Sequence, residues 1–423
     1  MTRRTQLTHV AVVAAVLVTL LATTVFVVMR TPDLIALAYW TLGTAVVGIC
    51  LTSFIVGKRY THLPVAPGRV LCIVPAYNEP ADLLEATVGS LLAQTVAVDI
   101  AVIDDGSETP VAPTTDDPRV TWRRQENTGK RGAQVAVLRE IPRNQYAFIL
   151  TVDSDSQPYP DACEHLLRAM SDPNVEAATG MIYTRNHRDS IISLAADVDI
   201  GTSCVMMRAS RSMIGALETT SGALAMYRSS LLYDHLDAYA IECGTGDDRW
   251  LSLRALERGE VVAVAEACVE TQMPTTMRGT YRQRLRWARS WWWMLPFVFR
   301  NLRFSQMISP LYGLTQLLIS PICLLYILME LIGIATGTYL VGTTMLAVVL
   351  SAYLIVRFGL SGLYLVGRPN LSVYEKLRCL CIGTPAAVAL NLLLLSPTRY
   401  YALTRLADNR WQTRTIAPES FAE

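Results

Sequence analysis

The sequence has almost no net charge. Its 37 Lys and Arg nearly balance 36 Asp and Glu, for a formal charge of +1, so no global field draws the chain to nucleic acid. Charged residues are scarce altogether, at 17% against 52% hydrophobic, and the mean hydropathy is +0.31. That balance excludes an ordinary soluble enzyme. The nine cysteines form no Cys-x-x-Cys pair, and the closest two, Cys379 and Cys381, are separated by a single residue. The usual zinc spacing is thereby excluded, and the cysteines read as reduced packing residues rather than as a disulfide framework.

Long apolar segments are what the chain has instead. Val10 to Met29 and Leu34 to Val56 are two nearly unbroken runs, each with the ~20 residues that a helical span needs. The first is too long for a signal-peptide core. Arg3 and Arg4 precede the pair, and Lys58, Arg59 and Arg69 follow it. By the positive-inside rule both flanks are cytoplasmic. Ile308 to Thr336 and Thr338 to Val366 are two further expected spans, Leu371 to Cys381 is an amphipathic interfacial segment, and Ile382 to Leu395 is a short apolar run. The expected organisation is a transmembrane hairpin over 1–57, a cytosolic domain over 58–300, a membrane or channel region over 301–405, and a cytosolic tail over 406–423.

Between the apolar segments the pattern alternates. Val70 to Val74, Ile100 to Ile103 and Tyr146 to Val152 are short β-branched runs, separated by helical stretches at Ala81 to Gln94 and Gly132 to Arg139. Such alternation predicts a Rossmann-like α/β domain with a parallel sheet. Ligands of these sheets bind beyond the carboxyl ends of the strands. Tyr77-Asn78-Glu79, Asp104-Asp105-Gly106-Ser107 and Asp153-Ser154-Asp155 all fall there.

Each cluster permits a definite chemistry. Asp153 and Asp155 place two hard oxygen ligands at one strand exit, suited to Mg²⁺ or Mn²⁺ completed by substrate phosphates. The same residues also suit a solvated turn. Asp104 and Asp105 offer hydrogen bonds to a base or ribose, Tyr77 a stacking face for a base, and Lys130 a phosphate contact. Asp247 and Asp248 either cap the helix from Trp250 to Glu257 or supply Asp248 as a general base toward an acceptor hydroxyl. Gln283, Arg286 and Trp287 share a helix face by their spacing: the arginine suits a diphosphate and the indole a sugar ring. Trp291-Trp292-Trp293 directly after them reads as an interfacial belt.

As an ordered set these motifs resemble the membrane-integrated, processive family 2 glycosyltransferases, above all hyaluronan synthases and rhizobial chitin-oligosaccharide synthases. Asn127-Thr128-Gly129-Lys130-Arg131, Ser221-Gly222-Ala223-Leu224 and Trp411-Gln412-Thr413-Arg414 belong to the same pattern. The resemblance implies a GT-A fold between transmembrane helices, in a multi-pass plasma-membrane protein of bacterial type. It implies UDP-sugar bound around Tyr77, Glu79, Asp104 or Asp105 and Lys130, a metal at Asp153 and Asp155, and Asp248 as base. Gln283 and Arg286 would meet the diphosphate, Trp287 and Arg249 the acceptor side, and Trp411 and Arg414 would close over the nucleotide. The partners it implies are UDP-sugar donors, a growing polysaccharide and membrane lipids, with no nucleic acid and no obligatory protein partner.

The expected product is hyaluronan-like, from UDP-N-acetylglucosamine and UDP-glucuronate. An oligomer of N-acetylglucosamine alone, or one sugar transferred to a lipid carrier, are the alternatives. Thr220-Ser221-Gly222-Ala223-Leu224 stands where hyaluronan synthases show Cys-Ser-Gly-Pro-Leu, which bears on the acceptor.

Overall fold

The computed structural model describes residues 3–30, 47–48, 51, 60–244, 246–338, 343–368 and 370–406. Most of the second apolar run, Leu34 to Val56, and the whole of the Trp411 to Arg414 tail lie outside the described residues. The first run is helix α1 (Arg3–Arg30).

The central domain follows the alternation read from the sequence. Strand β1 (Val70–Ala76) leads to helix α2 (Ala81–Leu92), then to β2 (Val98–Asp105). Strand β3 (Val120–Gln125), helix α3 (Gly129–Glu140) and β4 (Phe148–Thr151) come next. After these are β5 (Gln157–Pro158), α4 (Ala162–Met170), β6 (Val175–Thr184), α5 (Ile191–Thr202) and β7 (Ala225–Arg228). Helix α6 (Asp247–Arg258) and strand β8 (Glu260–Thr271) complete the domain. Nearly every residue of β1, β2 and β4 is buried, as expected of strands covered on both faces. Helix α2 buries Leu84, Thr87, Val88 and Leu91, one face at the helical period.

The strands form one sheet in the order β3-β2-β1-β4-β7-β6-β8-β5. The sequence predicts a parallel sheet, and the half from β3 to β4 is parallel. The other half corrects that expectation. β7 runs antiparallel to both β4 and β6, and β5 antiparallel to β8. With β7 reversed, β6 and β8 point the same way as β4. The carboxyl ends of β1, β2, β4, β6 and β8 therefore share one edge of the sheet.

Four long helical segments follow: α7 (Met277–Asn301), α8 (Phe304–Thr336), α9 (Thr343–Gly367) and α10 (Val373–Leu403). Among the described residues, three helical stretches are long and apolar enough to cross a membrane: Val10–Val27, Leu350–Gly367 and Val373–Leu403. Helix α8 carries a shorter apolar stretch, Ile327–Thr336, and presents Leu318, Leu324, Leu325 and Leu328 outward. The interfacial segment and short run expected over 371–395 are instead one continuous helix, α10, with π turns at Cys379–Gly383 and Asn391–Leu395. Within the apolar helices, Val13, Val16 and Leu20 pack with Leu51, Val356 and Leu363.

Candidate active site

The carboxyl edge of the sheet brings the loop motifs together by side-chain and backbone hydrogen bonds. Asn78, in the left-handed region at φ 49°, is the second residue after β1. Its amide donates to Ser107 Oγ at 2.9 Å, and its Oδ1 accepts from the Glu108 amide at 2.9 Å. Ser154 after β4 donates to the Glu79 carboxylate. The loops after β1, β2 and β4 are thus stitched to one another, with Tyr77 half-buried between them.

Asp104 and Asp105 divide the labour of the β2 exit. Asp104 is buried and accepts from the Ser107 and Val111 amides at 2.9 and 3.1 Å and from Arg124 at 2.8 Å. Burial opposes its ionisation, but the Ser107 and Val111 hydrogen bonds and Arg124 prevail and hold the carboxyl below its ordinary range. Both of its oxygens are engaged in shaping the loop, so Asp104 fits a structural role better than the ligand contact expected of it. Asp105 holds Gln125 at 2.7 Å and the Thr128 amide at 2.9 Å through Oδ1 alone, and is the better placed of the two to meet a ligand.

Lys130, in the first turn of α3, is the hub of the site. Its ammonium lies 2.6 Å from Asp153 Oδ1 and 3.4 Å from Asp247 Oδ2. Burial by itself would lower its pKa, but Asp153, Asp247 and Asp248 outweigh burial and hold it well above the ordinary value. Gly222 completes this corner, because a Cβ there would sit 2.7 Å from Lys130 Nζ and 2.9 Å from Asp153 Oδ2. Asp155 Oδ1 accepts from Thr271 Oγ1, at the end of β8, at 3.1 Å.

Asp248 stands in the first turn of α6 beside this hub. Burial pushes its carboxyl up to about 6; Lys130 opposes the rise, Asp247 and Asp153 add to it, and Arg286 opposes it. Its backbone is anchored from behind, where Ser252 and Thr220 donate to its carbonyl at 2.6 and 3.2 Å. Helix α7 reaches the site because Gly246 lets Ser290 approach: a Cβ on Gly246 would lie 2.4 Å from Ser290 Cβ. Trp287 on that helix is 37% exposed, with the Arg284 guanidinium 4.4 Å above its ring. Gln283 is half-buried and lies 4.0 Å from Met273 Sδ.

The structure therefore gathers Lys130, Asp153 and Asp248, with Arg286 close enough to affect Asp248. Arg249, next in sequence to Asp248, is close enough to feel its charge. Its guanidinium turns to Glu218 at 3.3 Å, with both side chains largely buried. Asp247 and Gly222 lie in motifs read from the sequence that assign them no role in the site, and Thr271 lies in none. Asp247 was legible only as one of two adjacent carboxylates, and Thr271 had no local signal. Among the described residues no three His, Cys, Asp or Glu side chains cluster to hold a metal alone. A metal at Asp153 and Asp155 would need further oxygens from a ligand such as a diphosphate.

Fold and site together define a GT-A glycosyltransferase. Residues 67–290 match the family described as glycosyltransferase like family 2, and the chain belongs to that family. It is 28% identical over 411 residues to a hyaluronan synthase of Streptococcus pyogenes serotype M3, covering 90% of this chain and 94% of that one. It is 30% identical over 370 residues to an N-acetylglucosaminyltransferase of Sinorhizobium fredii, covering 82% and 84%. Among solved structures, it is similar to the mannosyltransferase PcManGT from Pyrobaculum calidifontis in complex with GDP-Man and Mn²⁺. That likeness has 18% identity and a TM-score of 0.48, covering 88% of this chain and 98% of that one.

Proposed function

We propose that the chain is an inverting, processive glycosyltransferase that polymerises UDP-activated sugars at the plasma membrane, with its catalytic domain in the cytoplasm and its product extruded. The observation that carries the reading is Asp248, a carboxyl pushed up to about 6 beside the ammonium of Lys130. A base needs a pKa near the working pH and an acceptor within reach. Asp248 takes the proton of the acceptor hydroxyl. The hydroxyl oxygen bonds to the anomeric carbon as the bond from that carbon to the UDP oxygen breaks, and this single displacement inverts the centre.

Lys130 and Arg286 carry the charge of the diphosphate, and Tyr77 with Asp105 receives the uridine. Asp153 and Asp155 would hold Mg²⁺ or Mn²⁺. Their fit rests on the donor set, two carboxylates at one strand end, beside a corner that already holds a cation against Asp153. When bound, the ion neutralises the leaving diphosphate. Trp287 faces the acceptor sugar.

The favoured product is hyaluronan-like, made from UDP-N-acetylglucosamine and UDP-glucuronate. Purified full-length chain given labelled UDP-sugars, singly and paired, should form long polymer only from the pair. Free UDP or single-sugar products would sink the processive reading, and a label extracted into chloroform-methanol would point to a lipid acceptor.

One observation favours a second product, a polymer of N-acetylglucosamine alone. A glucuronate carboxylate calls for a cation, and of the two candidates, Arg249 and Arg185, Arg249 is already turned to Glu218, which it shares with Arg211 at 3.3 and 3.9 Å. Long polymer from UDP-N-acetylglucosamine by itself would decide for that reading.

A further inference from the structure

The membrane helices meet the catalytic domain at a buried ion pair. Arg368 directly follows α9, and Asp197 lies in α5; their side chains are 2% and 0% exposed. Arg368 Nη1 donates to Asp197 Oδ2. Tyr364 of α9 donates to Asp197 Oδ1 at 2.9 Å, and the same oxygen accepts from the Thr184 amide at 3.2 Å. The other arm of the fork, Arg368 Nη2, donates to the Thr184 carbonyl at 2.7 Å. The amide and the carbonyl of Thr184, the last residue of β6, are thus held by one pair that spans two helices.

The grip continues to the site. Thr184 registers with Thr271 at the end of β8, and the Arg185 amide donates to the Thr271 carbonyl at 2.9 Å. Thr271 Oγ1 in turn donates to Asp155 Oδ1 at 3.1 Å and accepts from Ser156 Oγ at 2.9 Å. Both hydroxyls are buried. A carboxylate that is to ligate a metal keeps its orientation through such outer partners.

We propose that Thr271 is a positioning residue for Asp155, together with Ser156, whose Oγ reaches the same Oδ1 at 3.2 Å, and that Arg368 with Asp197 fixes Thr271 from the membrane side. The metal-binding edge of the sheet is then set by whether α9 is docked. This rests on the assignment of Asp153 and Asp155 to a divalent ion. It adds that a helix of the membrane region determines how well the ion is held.

The test uses the full-length chain in detergent micelles. Mn²⁺ binding in the presence of UDP is followed by the paramagnetic resonance signal of free Mn²⁺, alongside the Mn²⁺ concentration for half-maximal turnover. Thr271→Val should weaken Mn²⁺ about 10-fold or more, and Thr271→Ser, which keeps the hydroxyl, should restore it. Arg368→Lys keeps the charge but loses the fork, and should shift Mn²⁺ affinity in the same direction, as should Tyr364→Phe to a smaller degree. A merely structural role would lower the melting temperature or yield and leave Mn²⁺ affinity where it was. If the Arg368 variant does not fold, Thr271→Val, Thr271→Ser and Tyr364→Phe carry the test. A wild-type chain that binds Mn²⁺ while folded Thr271→Val binds it equally well overturns the inference alone. A wild-type chain that neither binds nor needs a divalent ion overturns the metal assignment, and the inference with it.

Discussion

At the scale of the residue, the pKa of Asp248 makes two predictions with definite signs. The carboxyl must be ionised to accept a proton, so turnover should fall about tenfold per pH unit as the pH drops below about 6. Lys130 holds that pKa down, so in Lys130→Met the acid limb of the pH–rate profile should move to higher pH, in addition to any loss in kcat. An acid limb that stays in place would separate Lys130 from Asp248. Asp248→Asn should lower kcat by about 10²–10⁴-fold and still bind UDP-sugar by calorimetry. Its effect on stability has the opposite sign. The folded pKa lies above the ordinary aspartate value of 3.8, so the folded state holds the proton more tightly than the unfolded chain. The stability this contributes is present below the unfolded pKa and is lost as the pH rises through about 6. Without donor or metal, Asp248→Asn should therefore melt above the wild type at pH 8, with the gap closing toward pH 4.

At the scale of the element, the close approach of α5 to α9 is the contact most sensitive to volume. A Cβ on Gly201 would lie 2.2 Å from Tyr364 Cζ. Alanine in a helix interior gains roughly 0.5–1 kcal/mol over glycine, but here the ring cannot retreat, because Tyr364 is 1% exposed and its hydroxyl is tied to Asp197 and Arg368. Overpacking of this kind costs about 1–3 kcal/mol. Gly201→Ala should accordingly lower the melting temperature, and an unchanged or raised value would mean that the helices slide apart at no cost.

The same elements show what the sequence discloses. β1, β2 and β4 are legible as unbroken β-branched runs because both of their faces are covered, and their last residues place the polar clusters on one edge. β7 is four residues and β5 two, too short to carry a period, so the reversal of the sheet has no local signal. The tie of Arg249 to Glu218 and the chain from Arg368 to Asp155 join residues far apart in sequence, and only the packed fold brings them together. Helix α10 is hidden differently. Glu375, Lys376 and Arg378 in its first turns make its start read as a separate interfacial piece, whereas the backbone runs on without a break.

At the scale of the whole molecule, the catalytic domain and the helices beyond it share one hydrophobic core. Tyr364, Leu365, Cys379, Ala387, Leu390 and Leu395 belong to the same buried cluster as Leu194, Val198, Met294 and Val298. Polar contacts cross the same boundary: Arg188 Nε, just before α5, donates to Glu375 Oε1 in α10 at 2.6 Å. An interface built like an interior does not come apart before the domain melts, so the full chain in detergent should unfold in one transition. Two buried thiols report on the two sides, Cys243 just before the Asp248 loop and Cys379 in α10, each 0% exposed. On heating, both should become reactive to a maleimide over the same temperature range. Leu390→Ala should cost about 2–5 kcal/mol and move both thiols down together, although the substitution lies in a helix outside the sheet. If Cys379 became reactive well below Cys243, the helices would be an independent layer resting on a self-sufficient domain. The helices would then have no hold on the carboxyl edge of the sheet through Arg368.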